Sequence, residues 1–119
     1  YMLDTDFDAN PYELRFLTRR LYQGNRTTRL QQEIILGIGG LRMLRALGEE
    51  VDVYHMNEGH CALLTLELLR ERRGIDPNAE DWVRKNAVFT THTPVHAGHD
   101  RFDPGLFLQL LSHFREQIG

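Results

Sequence analysis

The sequence has little cysteine. Cys61 is the only cysteine among 119 residues, so no disulfide can form within the chain. A single cysteine is typical of a reducing compartment, and we therefore expect a cytoplasmic protein. Cys61 itself lies in the apolar run 61–64, which favours a buried small side chain over a reactive nucleophile.

Long apolar runs and an excess of positive charge are also missing. No segment approaches the roughly 20 apolar residues of a membrane-spanning helix, and we expect no signal peptide. The formal net charge is −3, which gives no reason to expect nucleic acid or an anionic membrane as a partner. Five arginines do cluster among acidic and polar residues, and we interpret them as a solvated helix face, with an anion-binding or substrate-loop role as the alternative: Arg15, Arg19, Arg20, Arg26 and Arg29.

The middle of the chain carries a strong helical pattern. Apolar residues recur every three or four positions at Leu30, Ile34, Ile38, Leu41, Leu44 and Leu47. Gly37, Gly39 and Gly40 lie inside this pattern, although glycine costs about 1 kcal/mol relative to alanine in a helix. We interpret these glycines as positions where another backbone or a ligand approaches closely, and we expect Gly48 to end the helix.

The other segments alternate between strands and helices. We predict strands at 51–56 and 87–91, and a further strand ending at 1–3. Helices are predicted at 12–20, at 60–73 before Gly74, at 78–85 with Asp76 as a candidate cap, and at 104–117 with Pro104 in the first turn. This order predicts an α/β fold with a parallel sheet and flanking helices in one domain, 1–119. Three strands make a thin sheet, so we expect the chain to be cut from a longer one.

Two loops are the best candidates for a binding site. Ligands of open α/β sheets bind at the carboxyl ends of the strands, which selects residues 57–60 and 92–100. Both loops are rich in amide, imidazole and carboxylate groups, as a neutral sugar requires. For Asn57, Glu58 and His60, holding the turn and contacting a ligand are equally good interpretations. For His92 we favour direct contact.

Other kinds of site fit less well. A histidine metal site is disfavoured because the spacing matches no recognised ligand pattern: His55, His60, His92, His96 and His99. The glycines at 37–40 lie within a helix and not between a strand and a helix, so a phosphate-binding loop is a weak hypothesis. Hydrolysis by Glu58 would need a second carboxylate.

Several motifs occur together and in order. They are YHMNEGH at 54–60, FTTHTPV at 89–95, AGHDRF at 97–102, and RLQQEIILGIGG at 29–40, with shorter matches at 3–5 and 20–22. In these strings the chain strongly resembles the shorter, bacterial-type α-1,4-glucan phosphorylases, the glycogen and maltodextrin enzymes. The resemblance covers nearly the whole chain.

The resemblance implies a fold and an activity. The chain looks like the later part of the N-terminal domain, with a Rossmann-like sheet, of a two-domain GT-B glycosyltransferase. That family transfers the non-reducing-end glucosyl unit of an α-1,4-glucan to inorganic phosphate with retention, releasing glucose 1-phosphate. Its cofactor is pyridoxal phosphate, whose phosphate does the acid–base work. The cofactor lysine and the basic phosphate-binding residues have no counterpart here, so we expect the isolated chain to be inactive until the rest of the parent completes the sheet and the site.

The resemblance also implies residue roles. His92 is implied to lie against the reacting glucose through its ring and carbonyl, as the catalytic contact, with Thr93 beside it in the substrate site. Asn57, Glu58 and His60 are implied to form the supporting turn.

Residues 22–26 resemble a gate over the site, which adds two residues as candidate substrate contacts: Tyr22 and Asn25. The chain departs from the family at 23–25, which reads Gln-Gly-Asn where Gly-Gly-Asp is expected. It departs again at His96, where proline is usual. Both departures put gate dynamics and substrate preference in doubt.

Two other functions stay open. A nucleotide-sugar-dependent glucan synthase shares the GT-B architecture, and a non-catalytic glucan-binding module would use the same sugar-binding loops. The preferred glucan, the regulation and the oligomeric state are not determined by the sequence.

Overall fold

The computed structural model describes residues 1–21, 24–96 and 99–118. Its helices are α1 (Arg26–Ile34), α2 (Gly40–Ala46), α3 (Leu64–Arg72), α4 (Ala79–Asn86), α5 (Pro104–Leu110) and α6 (Ser112–Ile118). Its strands are β1 (Tyr54–Asn57) and β2 (Ala87–Thr90). Two 3₁₀ turns lie at Tyr12–Leu14 and Gly59–Cys61, and a π-helical turn, Ile35–Gly39, joins α1 to α2.

The two strands form a parallel sheet. Tyr54 pairs with Ala87 and Asn57 with Thr90, so both strands end level with each other. Helices α3 and α4 make the crossover between them, as a parallel connection requires. The chain is thus a small α/β domain in which the loops after β1 and β2 emerge side by side.

The central helix follows the predicted pattern and contains one close backbone approach. It runs from α1 through the π-helical turn to α2, and Gly48 follows it with φ +71°. A Cβ on Gly37 would lie 2.8 Å from the backbone nitrogen of Leu64, so only glycine fits there. Nothing lies within 4 Å of a Cβ built on Gly40, so no described backbone approaches this residue, and approach of a ligand stays a prediction.

Two small hydrophobic clusters hold the helices together. The first joins α2, β1, α3 and α4 through Leu41, Tyr54, Leu68 and Val83. The second joins the central helix to the C-terminal helices through Ile38, Leu111 and Phe114. The sheet lies against the first cluster. Side chains alternate along β1, with Tyr54 and Met56 buried and the residues between and after them exposed.

Three structural predictions need correction. Residues 1–3 form no strand; the strands of the described residues are β1 and β2 alone. Residues 12–20 form only the 3₁₀ turn Tyr12–Leu14 and not the predicted helix. Hydrogen bonds of Thr18 with Thr5 and Asp4 hold this part of the chain instead. The helix predicted at 104–117 is broken at Leu111 into α5 and α6.

The capping groups also differ from the prediction. Asp76 accepts a hydrogen bond from the Asn78 amide before α4 begins, so it forms a local turn and is not the cap. Asp103 caps α5 by accepting from the Leu106 amide at 3.1 Å. No helix among residues 1–21, 24–96 and 99–118 is long and apolar enough to cross a membrane.

Candidate functional site

The loops after β1 and β2 meet, and Glu58 joins them. The amide of Glu58 donates to the carbonyl of Thr90 at 2.8 Å, which extends the sheet pairing by one residue. Its carboxylate then accepts three hydrogen bonds from consecutive residues: the amide of His92 and the hydroxyls of Thr91 (3.1 Å) and Thr93 (3.2 Å). One side chain therefore determines the path of the backbone through residues 91–93.

The backbone of Glu58 has an unusual conformation. Its φ and ψ are 62° and −177°, a region that is almost restricted to glycine. Glu58 is the one described non-glycine residue with a positive φ. Strain of this kind persists only where the surroundings hold it, and here the three hydrogen bonds to the carboxylate do so.

The carboxylate of Glu58 is stabilised in its charged form. The hydrogen bond from the His92 amide, followed by those from Thr91 and Thr93, lowers the pKa of Glu58 below its usual value, against a smaller opposite effect of burial. An ionised carboxylate can only accept hydrogen bonds, which matches the three donors that surround it.

His92 faces the turn after β1. Its Nε2 lies 3.0 Å from Oδ1 of Asn57, and both side chains are exposed. Because Oδ1 carries no hydrogen, Nε2 is the donor, and in the neutral ring Nδ1 is left as an acceptor. The pair thus presents an imidazole acceptor and an amide group at the edge of the sheet, both suited to sugar hydroxyls.

His60 lies in a second network, on the side of α1. Nδ1 of His60 is 2.7 Å from a terminal nitrogen of Arg29, whose Nε donates to Asp100 at 2.8 Å. Glu33 completes the network, with Oε1 3.5 Å from Arg29 and only 6% of the residue exposed. The structure therefore joins His60 to α1 and to segment 99–101, while Asn57 and Glu58 are joined to segment 91–93.

The pKa values of the two carboxyl groups of this network are shifted in opposite directions. Burial, with a hydrogen bond and charge repulsion from Asp100, raises the pKa of Glu33 to about 7. Burial would also raise the pKa of Asp100, but hydrogen bonds from Arg29 and Glu33 outweigh it and lower the pKa below its usual value. The two carboxyl groups thus behave as an unequal pair.

His55 and His60, two of the histidines considered as metal ligands, have different hydrogen-bond partners. His55 Nε2 lies 2.7 Å from Oγ1 of Thr90, away from His60. Within the described ranges, the side chains closest to a metal-ligand arrangement are Glu33, His60 and Asp100, whose ligand atoms lie within 4.8 Å of one another. Arg29 already supplies a cation to all three, so this network is an arginine–carboxylate cluster.

Part of the predicted gate can be placed. The side chain of Asn25 accepts from the Thr28 amide at 3.0 Å and is the N-cap of α1. Tyr22 and Gln23 lie outside the described residues, as do residues 97 and 98. His96 is described, and its Nδ1 lies 3.4 Å from a nitrogen of Arg101.

A cavity of about 250 Å³ lies between the N-terminal segment and α1. Its walls are largely apolar, and Arg29, Glu33 and His60 line its polar end. Among the described residues, neither Asn57 nor His92 lines this cavity. Both residues are exposed and lie outside this cavity.

Sequence reasoning missed the network around Glu33. Its members come from three distant places in the chain, and only the fold shows that they meet. A signal was present, because Glu33 is a charged residue inside the apolar pattern of the central helix, four positions after Arg29.

Comparisons with known proteins found several similar sequences. The chain is 47% identical over 110 residues to a glycogen phosphorylase of Mycobacterium tuberculosis, which covers 85% of the chain and 13% of that protein. It is 41% identical over 121 residues to a maltodextrin phosphorylase of Thermococcus litoralis, covering 99% of the chain and 15% of that protein. A glycogen phosphorylase of Aquifex aeolicus is 36% identical over 99 residues, covering 80% and 14%.

Two further comparisons found nothing: no family model matches the chain, and no solved structure matches it. The chain spans about one seventh of the length of the phosphorylases that it matches. Their identities of 36–47% extend over 80–99% of the chain and confirm the resemblance that its motifs indicate. The chain is therefore homologous to a segment of the glycogen and maltodextrin phosphorylases.

Proposed function

We propose that this chain is part of a retaining α-1,4-glucan phosphorylase that transfers a non-reducing-end glucosyl unit to inorganic phosphate and releases glucose 1-phosphate. In this proposal residues 1–119 belong to a Rossmann-like N-terminal domain of a GT-B enzyme in the cytoplasm. The rest of the parent protein completes the sheet and the active site. The substrates are a glucan and inorganic phosphate, and neither nucleic acid nor membrane takes part.

One observation carries the proposal: His92 and Asn57 lie 3.0 Å apart at the carboxyl ends of adjacent parallel strands, in a chain homologous to phosphorylases. Sugars are bound by fixed hydrogen-bonding groups, and Glu58 fixes the backbone that carries His92. We assign His92 the catalytic contact with the glucosyl unit and Thr93 a neighbouring substrate contact. Asn57 and Glu58 position them.

His60, Tyr22 and Asn25 take weaker assignments in this proposal. His60 supports the turn from the side of α1, because Arg29 holds its Nδ1. Asn25 caps α1, so any contact between its side chain and a sugar must be made together with that hydrogen bond. Tyr22 stays a candidate contact from the resemblance alone.

The residues of this chain do not themselves fit pyridoxal phosphate. The cofactor is bound as an imine by a lysine, and Lys85 is the only lysine of the chain. Lys85 is exposed and lies at the end of α4, before β2, at the opposite end of that strand from residues 91–93. The cofactor and its lysine therefore belong, in this proposal, to the remainder of the parent protein.

The test is to express the complete parent reading frame and to measure glucose 1-phosphate from maltodextrin and phosphate. We expect phosphate-dependent release that needs no nucleotide sugar. His92→Ala should lower kcat at least tenfold, whereas His113→Ala, which changes an exposed histidine of α6, should leave kcat unchanged.

The outcome also separates the alternatives. Glucosyl transfer that requires a nucleotide sugar would favour the glucan synthase. Binding of maltodextrin without any transfer, from a parent that has no second domain with a cofactor lysine, would favour a non-catalytic glucan-binding module. Full activity in the His92→Ala variant would contradict the assignment of His92 while leaving the phosphorylase assignment intact.

A further inference from the structure

The network around Glu33 joins two carboxyl groups, one of them buried, to the guanidinium of Arg29. Glu33 is 6% exposed, and its Oε1 accepts no hydrogen bond from the described residues. Asp100, which is partly exposed, approaches from a different part of the chain, and among the described residues Arg29 is the guanidinium that lies within 4 Å of both carboxyl groups. A negative charge on Asp100 repels one on the buried Glu33, which favours retention of a proton on Glu33.

His60 does not supply the missing positive charge in this arrangement. A guanidinium can only donate hydrogen bonds, so the 2.7 Å contact with Arg29 makes Nδ1 of His60 an acceptor. The ring is then neutral, with its proton on Nε2. Nδ1 lies 4.0 Å from Glu33 and 3.9 Å from Asp100, too far for a hydrogen bond to either.

We propose that Glu33 and Asp100 share one proton, and that this carboxyl pair makes the attachment of segment 99–101 to α1 dependent on pH. The attachment consists of the Arg29–Asp100 ion pair and the hydrogen bond from Arg26 to the carbonyl of Arg101. A proton between the two carboxyl groups removes their repulsion and adds a hydrogen bond across the contact. Its loss leaves two negative charges facing each other there.

The direction of the pH dependence follows from Glu33. Its pKa is raised in the folded chain from 4.5 to about 7. Below 4.5 the unfolded chain is protonated as well, and the contribution to stability is complete. Between 4.5 and about 7 only the folded chain keeps the proton, so stability falls as the pH rises, and above 7 the contribution is lost.

Other charged and titratable groups also lie near Glu33. Arg29 faces it from α1, His60 and the Cys61 thiol from the 3₁₀ turn, and Asp100 from the following segment. From the N-terminal segment, Arg20 lines the same cavity. Of these groups, Asp100 is the carboxyl group with an oxygen within 4.8 Å of an oxygen of Glu33, which makes it the residue to change.

The experiment is a pH titration of the 119-residue chain by NMR, with the side-chain carboxyl carbons of glutamate labelled. Wild-type Glu33 should titrate with a midpoint near 7, and the amide signals of residues 99–101 should shift with the same midpoint. Asp100→Asn should lower the Glu33 midpoint by about one pH unit or more, because it removes the like charge. Combined with His99→Gln, which removes the imidazole of the segment itself, Glu33→Gln should abolish the shift of the amides near pH 7.

Glu80→Gln is the matched control, since Glu80 is an exposed glutamate of α4, and it should leave both midpoints unchanged. A wild-type Glu33 that titrates near 4.5 would overturn the proposal without any variant. An unchanged Glu33 midpoint in Asp100→Asn would show that burial alone raises the pKa of Glu33, which would also overturn the proposal. Amide shifts that persist without Glu33 and His99 would show that another group causes them, and would overturn the proposal. The proposal does not depend on phosphorylase activity, so either can fail alone.

Discussion

At the residue scale, Glu58 combines a strained backbone with a carboxylate that accepts hydrogen bonds from three consecutive residues, 91–93, of the loop after β2. A strand end that turns with a positive φ would ordinarily carry glycine, because glycine has no Cβ to clash. Glu58 is kept in that conformation by donors from residues 91–93. The strain and the hydrogen bonds thus support each other, and each can be removed separately by substitution.

Three variants of Glu58 separate these effects. Glu58→Gly removes both the strain and the carboxylate, Glu58→Ala removes the carboxylate alone, and Glu58→Gln keeps the shape without the charge. We expect Ala to be the least stable, with Gly and Gln closer to wild type, and amide exchange of His92 to be faster in all three. Urea denaturation and hydrogen exchange measure this. An Ala variant as stable as Gly would show that the backbone of Glu58 is not strained.

The glycines of the central helix give a second prediction at this scale. Gly37→Ala places a methyl group 2.8 Å from the backbone of Leu64, which cannot move without shifting α3. Overpacking of this kind costs about 1–3 kcal/mol in the free energy of unfolding. Gly40→Ala is the matched control: it meets nothing within 4 Å and should stabilise the helix by up to about 1 kcal/mol. Equal effects of the two substitutions in thermal denaturation would contradict the close packing of Gly37.

At the element scale, α2 and α3 are joined through a fully buried carboxylate. Glu67 of α3 has no exposed surface and accepts from both Arg42 of α2 and Arg70, at 2.7–3.2 Å. Burial would raise the pKa of Glu67, but the hydrogen bonds from Arg70 and Arg42 outweigh it and lower the pKa. The contact is therefore an ion pair at neutral pH, and it should weaken in acid.

The lowered pKa of Glu67 determines how the stability of the chain should change with pH. A lowered folded pKa contributes stability above the usual value of 4.5, and this contribution is lost as the pH falls through the folded pKa. Glu67→Ala removes the carboxylate, but its partners Arg42 and Arg70 are partly exposed and can be hydrated, so the substitution should cost about 1–3 kcal/mol near pH 7, and less below pH 4. Urea denaturation at both pH values measures the difference. Glu71→Ala is the control, because the Glu71 side chain is partly exposed and the loss should be smaller.

The helices and strands of the chain were only partly predictable from its sequence. The central helix, α3, α4 and both paired strands follow from apolar periodicity and glycine positions, because these patterns are local. The break at Leu111 and the π-helical turn do not, since both depend on how the helices pack against each other. The meeting of Asn57 and Glu58 with residues 91–93 was predictable from the rule for parallel strands, whereas the Glu33 network, which includes His60, required the fold itself.

At the scale of the whole molecule, the chain exposes more surface than its size requires. Its accessible surface is 8487 Å², whereas a monomeric globular protein of 13.9 kDa exposes about 6,700 Å². Val88 and Phe89 of β2 are 47% and 52% exposed although they point to opposite faces of the sheet. Parallel sheets are normally covered on both faces, so β2 presents surface suited to further protein. The predicted larger sheet would use this surface.

The last prediction concerns activity. We expect the 119-residue chain to release no measurable glucose 1-phosphate from maltodextrin and phosphate, with or without added pyridoxal phosphate. In the function that we propose, His92 contacts the sugar and Asn57 positions it, but Lys85 lies at the opposite end of β2 and cannot hold a cofactor near them.

Catalysis by positioning requires the reacting groups to be held together, and free cofactor in solution does not meet that condition. The complete parent protein, assayed in parallel, is the positive control. Glucose 1-phosphate released by the purified chain and lost in its His92→Ala variant would contradict the prediction, because a contaminating enzyme would not respond to that substitution. Such a result would mean that these residues contain a working catalytic site without the second domain.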